Sequence, residues 1–106
     1  MKYRVILSPD AMAGLSSAIH WYQQTNPDMV ARFLLKTRAT LNRIKKHPYS
    51  FPRIQGVIRR AVLHKFPYSI LFVVKKQFVF ILAIRHQRQS GIVPFSGNGY
   101  SGVRTE

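Results

Sequence analysis

The 106-residue sequence predicts one α+β domain with the element order β-αα-βββ, in which a helical hairpin packs on one face of an antiparallel-rich sheet. The length suits a single domain with one hydrophobic core. Two helix-start signals, near residues 8 and 26, precede stretches whose apolar residues recur every three or four positions. Beyond residue 57 the pattern changes to β-rich runs with short connections, which favour antiparallel neighbours.

The first half of the chain predicts a short strand over residues 2–7 and then two helices. Ser8-Pro9 supplies an N-cap and a first helical residue, and the first helix is expected to end near Gln24. Asn26-Pro27-Asp28 repeats this signal for the second helix. His47-Pro48 ends that helix, because the residue before a proline avoids the helical region. The core-facing stripe of the second helix is expected to contain Val30, Phe33, Leu34, Thr37, Leu41 and Ile44.

The second half predicts a loop over residues 49–56 and three strands over residues 57–66, 68–74 and 77–85. In the last two strands both alternating sets of side chains are apolar. Such runs are typical of strands that are buried on both faces. The helical hairpin accounts for the cover of one face and leaves the cover of the other open.

Charge is the most informative part of the composition. Seventeen Lys and Arg residues against three acids, Asp10, Asp28 and Glu106, give a net charge of +14. A surface this basic favours anionic partners, which are nucleic acid, an anionic membrane surface or an acidic protein segment.

Composition also predicts the domain plan and the location. Residues 1–89 are expected to form the folded domain, and the Gly- and Ser-rich residues 90–106 a flexible tail. The N-terminal apolar stretch is too short for a signal peptide, and no apolar run reaches the ~20 residues of a membrane-spanning helix. We therefore expect a soluble cytoplasmic protein without a membrane partner. The absence of cysteine excludes disulfides and thiolate metal sites.

The residues available for chemistry exclude several enzyme classes. Asp10 and Asp28 stand at predicted helix starts, where they complement the helix dipole, and the four histidines lack zinc-ligand spacing. No Gly-rich phosphate loop and no nucleophile elbow occurs in the sequence. We expect no metal and no cofactor. Arg, Lys, His and Tyr remain, a set that suits internal RNA cleavage, in which the 2′-hydroxyl attacks and cations stabilise the phosphate.

Basic residues gather on the first and last of the three predicted strands. The cluster that they predict contains Arg59, Arg60, Lys65, Arg85, His86 and Arg88. The alternative is that alternate strand residues simply point these charges into solvent.

Three parts of the chain share features with one family. The stretch IRRAVLHKFPYSI, residues 58–70, and the last strand, which ends in a His with nearby Arg residues, resemble RelE/ParE-type toxins of bacterial type II toxin–antitoxin systems. The resemblance covers residues 3–88. The helices carry a similar pattern in Tyr22, Pro27, Phe33, Leu41, Ile44 and Pro48.

This resemblance implies a curved sheet, a growth-arresting activity and a cognate acidic antitoxin that wraps the toxin. If the chain cuts RNA, the resemblance assigns catalysis to Arg60, Lys65, Arg85, His86 and Arg88. The implied target- or antitoxin-binding set is Arg59, Arg60, Lys65, Tyr68, Arg85, His86 and Arg88.

The family divides into two activities. ParE-like members inhibit DNA gyrase, whereas RelE-like members cut messenger RNA in the ribosome. RelE-like nucleases commonly carry a lysine-rich loop before the hairpin and a catalytic aromatic residue near the C-terminus. Here that loop has only Arg53, and Tyr100 lies in the Gly-rich tail.

The HQRQ ending also resembles the ParE-type group. The sequence therefore favours a ParE-like gyrase inhibitor, with a RelE-like ribosome-dependent endoribonuclease as the alternative. A non-toxic basic nucleic-acid-binding module is disfavoured, because no helix-turn-helix, RNA-recognition or zinc-finger signature is present.

Overall fold

A computed structural model describes residues 3–89 and confirms the α+β class. Residues 1–2 and the predicted tail, residues 90–106, lie outside the described residues. A 3₁₀ turn, Pro48–Ser50, follows the second helix. The elements in chain order are β1 (Arg4–Leu7), α1 (Pro9–Thr25), α2 (Met29–Lys46), β2 (Arg53–Gln55), β3 (Ile58–Val62), β4 (Tyr68–Lys75) and β5 (Phe78–His86).

The strands form one five-stranded sheet in the order β1-β5-β4-β3-β2. β1 runs parallel to β5, and the other neighbours are antiparallel. β2 lies inside the segment that the sequence predicts as a loop. A strand of three residues is too short to show an alternating pattern in the sequence. β2 forms because it pairs with the outer edge of β3, where Arg53 is opposite Arg59.

β3 is shorter than predicted, because a tight turn begins directly after it. The Leu63 amide donates to the Tyr68 carbonyl over 2.9 Å, and the Phe66 amide donates to the Leu63 carbonyl over 3.0 Å. Lys65 takes a φ of 74° within this turn. These bonds replace the strand ladder and carry the chain from β3 into β4.

The start of α1 is fixed to the sheet by Ser8. Its hydroxyl oxygen accepts from the Ala11 amide at 3.0 Å, as an N-cap does, and donates to the Leu82 carbonyl at 2.9 Å. Further along the helix, α1 lies so close to β5 that a Cβ on Gly14 would be 2.2 Å from the Ile84 carbonyl oxygen. A glycine is therefore required where this helix crosses the strand.

The second helix corrects two expectations. The helix begins at Met29 and not at Pro27, and Asp28 at its N-cap makes no side-chain capping hydrogen bond. Leu34 is wrong as a core residue, since its side chain is 40% exposed. Adjacent helical residues are ~100° apart around the axis, so the face that buries Phe33 turns Leu34 outward. The buried stripe of α2 consists of Phe33, Thr37, Thr40 and Ile44, with Val30 and Leu41 partly buried.

The sheet has two buried faces, as the sequence predicts. We call the face under both helices the first face; its cluster joins α1 and α2 to strand residues such as Phe72 and Ile81. We call the opposite side the second face, and the described residues of its cluster come from β3, β4 and β5. Its members are Ile58, Leu71, Val73, Phe80, Leu82 and Ala83.

Candidate functional site

His86 ends β5 and begins a turn that its own residues close. The His86 ring Nδ1 accepts from the Arg88 amide at 2.9 Å, and the Gln89 side-chain oxygen accepts from the His86 amide at 2.9 Å. The Gln89 amide donates to the His86 carbonyl at 2.9 Å, and the Gln87 amide donates to the Pro67 carbonyl at 2.8 Å. Three of these bonds close the turn of residues 86–89, and the bond from Gln87 to Pro67 fixes it against the turn between β3 and β4.

The first of these bonds decides what the His86 ring can do. A neutral imidazole has one N–H and one acceptor nitrogen, so an acceptor at Nδ1 requires the proton on Nε2. In this arrangement Nε2 is a hydrogen-bond donor. Removing a proton from a substrate would require breaking the bond to the Arg88 amide first.

Tyr68 lies opposite His86 in the sheet, with ring centroids 5.1 Å apart, and is only 7% exposed. It belongs to an aromatic cluster with Tyr22, Phe33 and Phe66. Burial raises the pKa of Tyr68, and the neighbouring Tyr22 raises it further. Burial also raises the pKa of Tyr22. Both phenols therefore stay protonated at neutral pH.

A pocket of about 380 Å³ lies between α1 and the end of β5. Polar groups from Asp10, Ser17, Tyr68, Arg85 and Gln89 line it. Tyr68 lines this pocket, so a group of a target or antitoxin that enters the pocket can contact it.

Arg60 and Arg85 share the second face of the sheet. Arg60 pairs with Leu71, which belongs to the second-face cluster, and Arg85 pairs with Ser69 two residues away. Side chains alternate along β4, so Ser69 and Leu71 point to the same side. The two arginines stand one strand either side of β4, with Cα atoms about 12 Å apart by strand spacing and rise.

The other predicted cations lie elsewhere. Arg59 donates to the Phe51 carbonyl at 2.6 Å, and its guanidinium stands 5.0 Å from the centre of the Tyr49 ring. These contacts anchor the segment before β3. Lys65 lines a groove of about 470 Å³ with Phe66 and α2. Arg88 is exposed in the turn after β5.

The structure therefore divides the predicted cluster. It brings His86 together with Tyr68 on the first face, and Arg60 together with Arg85 on the second face. Arg59 and Lys65 are separate from both pairs.

Sequence reasoning missed two features of this region. Gln89 holds the His86 turn, and nothing in the local sequence distinguishes it from the neighbouring Gln87. Arg32 and Lys36 line the Lys65 groove with Leu35. Their separation of four residues was a usable signal, since residues four apart share a helix face.

Two further searches cover the described part of the chain. Among residues 3–89, no three His, Asp or Glu side chains are grouped closely enough to hold a metal ion. No helix within the same range combines the length and apolarity that crossing a bilayer requires.

Comparison with known proteins gives matches in family and in fold. The family model for the ParE toxin of the type II toxin–antitoxin system parDE matches residues 5–91. A solved structure titled as the chromosomal ParDE system from P. aeruginosa is 17% identical with a TM-score of 0.67, over 80% of this chain and 96% of that chain. The RelBE2 toxin–antitoxin complex from Mycobacterium tuberculosis is 15% identical with a TM-score of 0.56, over 81% of this chain and 99% of that chain.

Curated protein sequences give no match. The two structural likenesses support the α+β fold, and the family match covers most of the chain. The chain therefore belongs to the ParE toxin family of type II toxin–antitoxin systems.

Proposed function

We propose that this toxin arrests growth as a ParE-like inhibitor of DNA gyrase, which it meets in the cytoplasm. The observation that carries the proposal is the hydrogen bond from the Arg88 amide to Nδ1 of His86. Among the residues that the sequence assigns to RNA cleavage, His86 is the natural general base, and this bond occupies its acceptor nitrogen. A contact surface needs no free base, so the arrangement suits a binder better than a nuclease.

The cations supply the contacts of the proposed surface. Arg85 and Arg88 flank the His86 turn, and Arg60 lies on the same face of the sheet as Arg85. Arginine forms bidentate hydrogen bonds with carboxylates and phosphates, so this group fits an acidic protein surface or a nucleic-acid backbone. The turn holds these groups on a rigid strand end, which lowers the entropy cost of binding.

We also propose an acidic antitoxin as the partner that masks the toxin. The net charge of +14 favours it, and two solved structures that resemble this chain are titled as toxin–antitoxin systems. Association should be faster at low than at high ionic strength, because exposed charges steer the encounter and salt screens them. An association rate constant that stays unchanged between low and high salt contradicts this electrostatic part.

The site assignment is tested by Arg85→Gln/Arg88→Gln. Cells that express this double variant should grow. The purified variant should inhibit supercoiling at least about tenfold less strongly than the natural protein. The melting temperature should move by less than about 3 °C, since Arg88 is exposed, Arg85 is half-buried, and both substitutions keep a polar side chain. Arg38→Gln/Lys46→Gln removes the same charge from exposed positions of α2 and should leave growth arrest intact. Equal toxicity of the two double variants contradicts the assignment.

The mechanism is tested at His86. His86→Asn keeps an acceptor near the position of Nδ1, and His86→Gln keeps a polar group near Nε2, but neither can act as a base. A ribonuclease that uses His86 as its base should lose ~10²–10⁴ in cleavage rate in both variants. A gyrase inhibitor should lose only contact energy, and it should block supercoiling while ribosome-bound message stays intact. Cleaved message with unaffected supercoiling contradicts the proposal and supports the endoribonuclease.

A further inference from the structure

Tyr49 is an exposed aromatic residue in a strongly basic part of the molecule. It lies in the 3₁₀ turn after α2 and is 58% exposed. The Arg59 guanidinium stands 5.0 Å from the centre of its ring, and the Tyr3 ring packs against it with the two ring planes at 77°. These contacts hold the ring in place without covering it. A fixed aromatic ring that is open to solvent is a surface on which another flat group can stack.

Three arginines are gathered around the turn that contains this ring. Arg43 lies 5.0 Å from the centre of the Phe51 ring, and Arg59 donates to the Phe51 carbonyl, so both guanidinium groups reach the same residue. Arg53 pairs with Arg59 across β2 and β3. Side chains paired in this way stand on the same side of the sheet, with Cβ atoms ~5 Å apart. Arg53 is exposed, and its guanidinium has no hydrogen bond or ion pair within the described part of the chain.

The described residues offset little of this positive charge. Like charges directly opposite each other on neighbouring strands repel. The C-terminal end of α2 attracts cations, but its dipole is equivalent to only about half an elementary charge. Of the acids in the described ranges, Asp28 stands at the other end of α2, ~25 Å away along the helix, and Asp10 lines the pocket at the end of β5. An anionic ligand is therefore the group that would relieve the repulsion.

We propose that Tyr49, Arg43, Arg53 and Arg59 form a binding site for single-stranded nucleic acid. One base stacks on the Tyr49 ring, and Arg53 holds the adjoining phosphate. A single strand presents a flat base and a negative phosphate side by side, which are the two groups that this site can contact. A duplex keeps its bases paired and stacked, and an acidic peptide offers charge without a base. The site is separate from the His86 turn and does not depend on which target the toxin acts on.

The stacking contact is tested with the purified full chain and a fluorescein-labelled oligodeoxythymidylate of about 12 nucleotides. Tyr49→Ala should bind this strand at least about fivefold more weakly, because stacking on one ring contributes that much, and should bind a duplex of equal length as the natural chain does. Tyr49→Phe keeps the ring and should bind like the natural chain. Trp21→Ala removes a ring that is 57% exposed on α1 and is the matched control, with no loss expected. Oligouridylate of the same length shows whether RNA or DNA binds more tightly.

The phosphate contact is tested by the salt dependence of the affinity. Each phosphate contact adds ~0.7 to the slope of log affinity against log salt for a single strand. Arg53→Gln should lower the slope by about this amount. Arg38→Gln removes the same charge from an exposed position of α2 and should leave the slope unchanged. Equal slopes for the two variants overturn the phosphate contact.

Crosslinking tests the natural chain and so does not depend on the folding of a variant. An oligonucleotide that contains 5-iodouracil forms a crosslink on irradiation with an aromatic ring on which its base is stacked, and peptide mapping should identify Tyr49. Crosslinks at other residues alone overturn the proposal. Single-strand binding that is unchanged in a folded Tyr49→Ala variant also overturns it, as does an equal loss of duplex binding. An equal loss of polyglutamate binding overturns it as well and assigns the site to an acidic protein.

Discussion

The two faces of the sheet are both apolar, but they differ in what surrounds them. The first face carries α1, α2 and an aromatic cluster in which Phe33 lies 5.2–5.5 Å from the rings of Tyr22, Phe66 and Tyr68. The second face carries an aliphatic cluster with one large aromatic pair, Phe78 and Phe80, stacked at 5.9 Å. Arg59 pairs with Phe72 of the first-face cluster, but its guanidinium bonds the Phe51 carbonyl, whereas Arg60 and Arg85 pair with Leu71 and Ser69 on the second face.

From this difference we expect the first face to determine stability and the second face to contribute to partner binding. The first face buries large rings against helices, so changes there act on the free energy of unfolding. The second face presents Arg60 and Arg85 beside an apolar surface, a combination that is typical of binding interfaces. Substitutions on the first face should therefore lower the free energy of unfolding, whereas substitutions of Arg60 and Arg85 should weaken the binding of a partner.

The largest effect is expected for Phe33→Ala. Phe33 is 0% exposed and touches three aromatic rings, so its truncation should lower the free energy of unfolding by ~3–5 kcal/mol. Leu34→Ala changes the adjacent residue, which is 40% exposed, and should lower it by less than ~1.5 kcal/mol. Urea unfolding of the two variants measures both. Equal losses would mean that α2 is rotated relative to the sheet.

Gly14→Ala should lower the free energy of unfolding by a smaller amount, and a loss rather than a gain of stability is the informative result. At an ordinary helical position this change stabilises a protein by ~0.5–1 kcal/mol. Here the new methyl would lie 2.2 Å from the Ile84 carbonyl oxygen, so α1 must move away from β5, at ~1–3 kcal/mol. Ser16→Ala, at an exposed position of the same helix, controls for helix propensity. A more stable Gly14→Ala protein would contradict the close approach of helix and strand.

The helices could be predicted from sequence because their signals are local. Ser8 caps α1 as expected, and α2 ends at Lys46, just before His47-Pro48. The apolar repeat of α2 indicated the correct side of the helix but not its exact centre. Leu34 and Phe33 are adjacent, and only packing against the sheet decides which of them is buried.

The division of the basic cluster could not be predicted, because it depends on a bulge. Ile81 pairs with Phe72 and Ala83 pairs with Leu71, so β5 carries one extra residue, Leu82. Simple alternation would place Ile81 and Arg85 on the same side. The bulge reverses the alternation, so that Ile84 faces the helices with Ile81, and Arg85 turns to the second face. A single inserted residue thus decides which cation faces which surface, and no local pattern marks it.

The smallest change in the free energy of unfolding is expected from removing the hydroxyl of Tyr68, a residue of the first-face cluster. Burial and the neighbouring Tyr22 raise the pKa of Tyr68 above the ordinary 10.0. In the unfolded chain this phenol ionises near 10.0, while in the folded chain it stays protonated to higher pH. Its contribution to stability is therefore complete below pH 10 and is lost as the pH rises towards the folded-state pKa.

Tyr68→Phe removes this titration and keeps the ring contacts. The difference in unfolding free energy between the natural chain and Tyr68→Phe should be constant from pH 7 to about pH 9. Above about pH 10 the natural chain should lose stability faster than the variant. Tyr49→Phe changes a tyrosine that is 58% exposed and serves as the matched control. If the curves of the natural chain and Tyr68→Phe stay parallel to pH 11, Tyr68 ionises as easily in the folded chain as in the unfolded one. Water would then reach the aromatic cluster around Tyr68. The first face would be less completely buried there than the 0% exposure of Phe33 and Phe72 indicates.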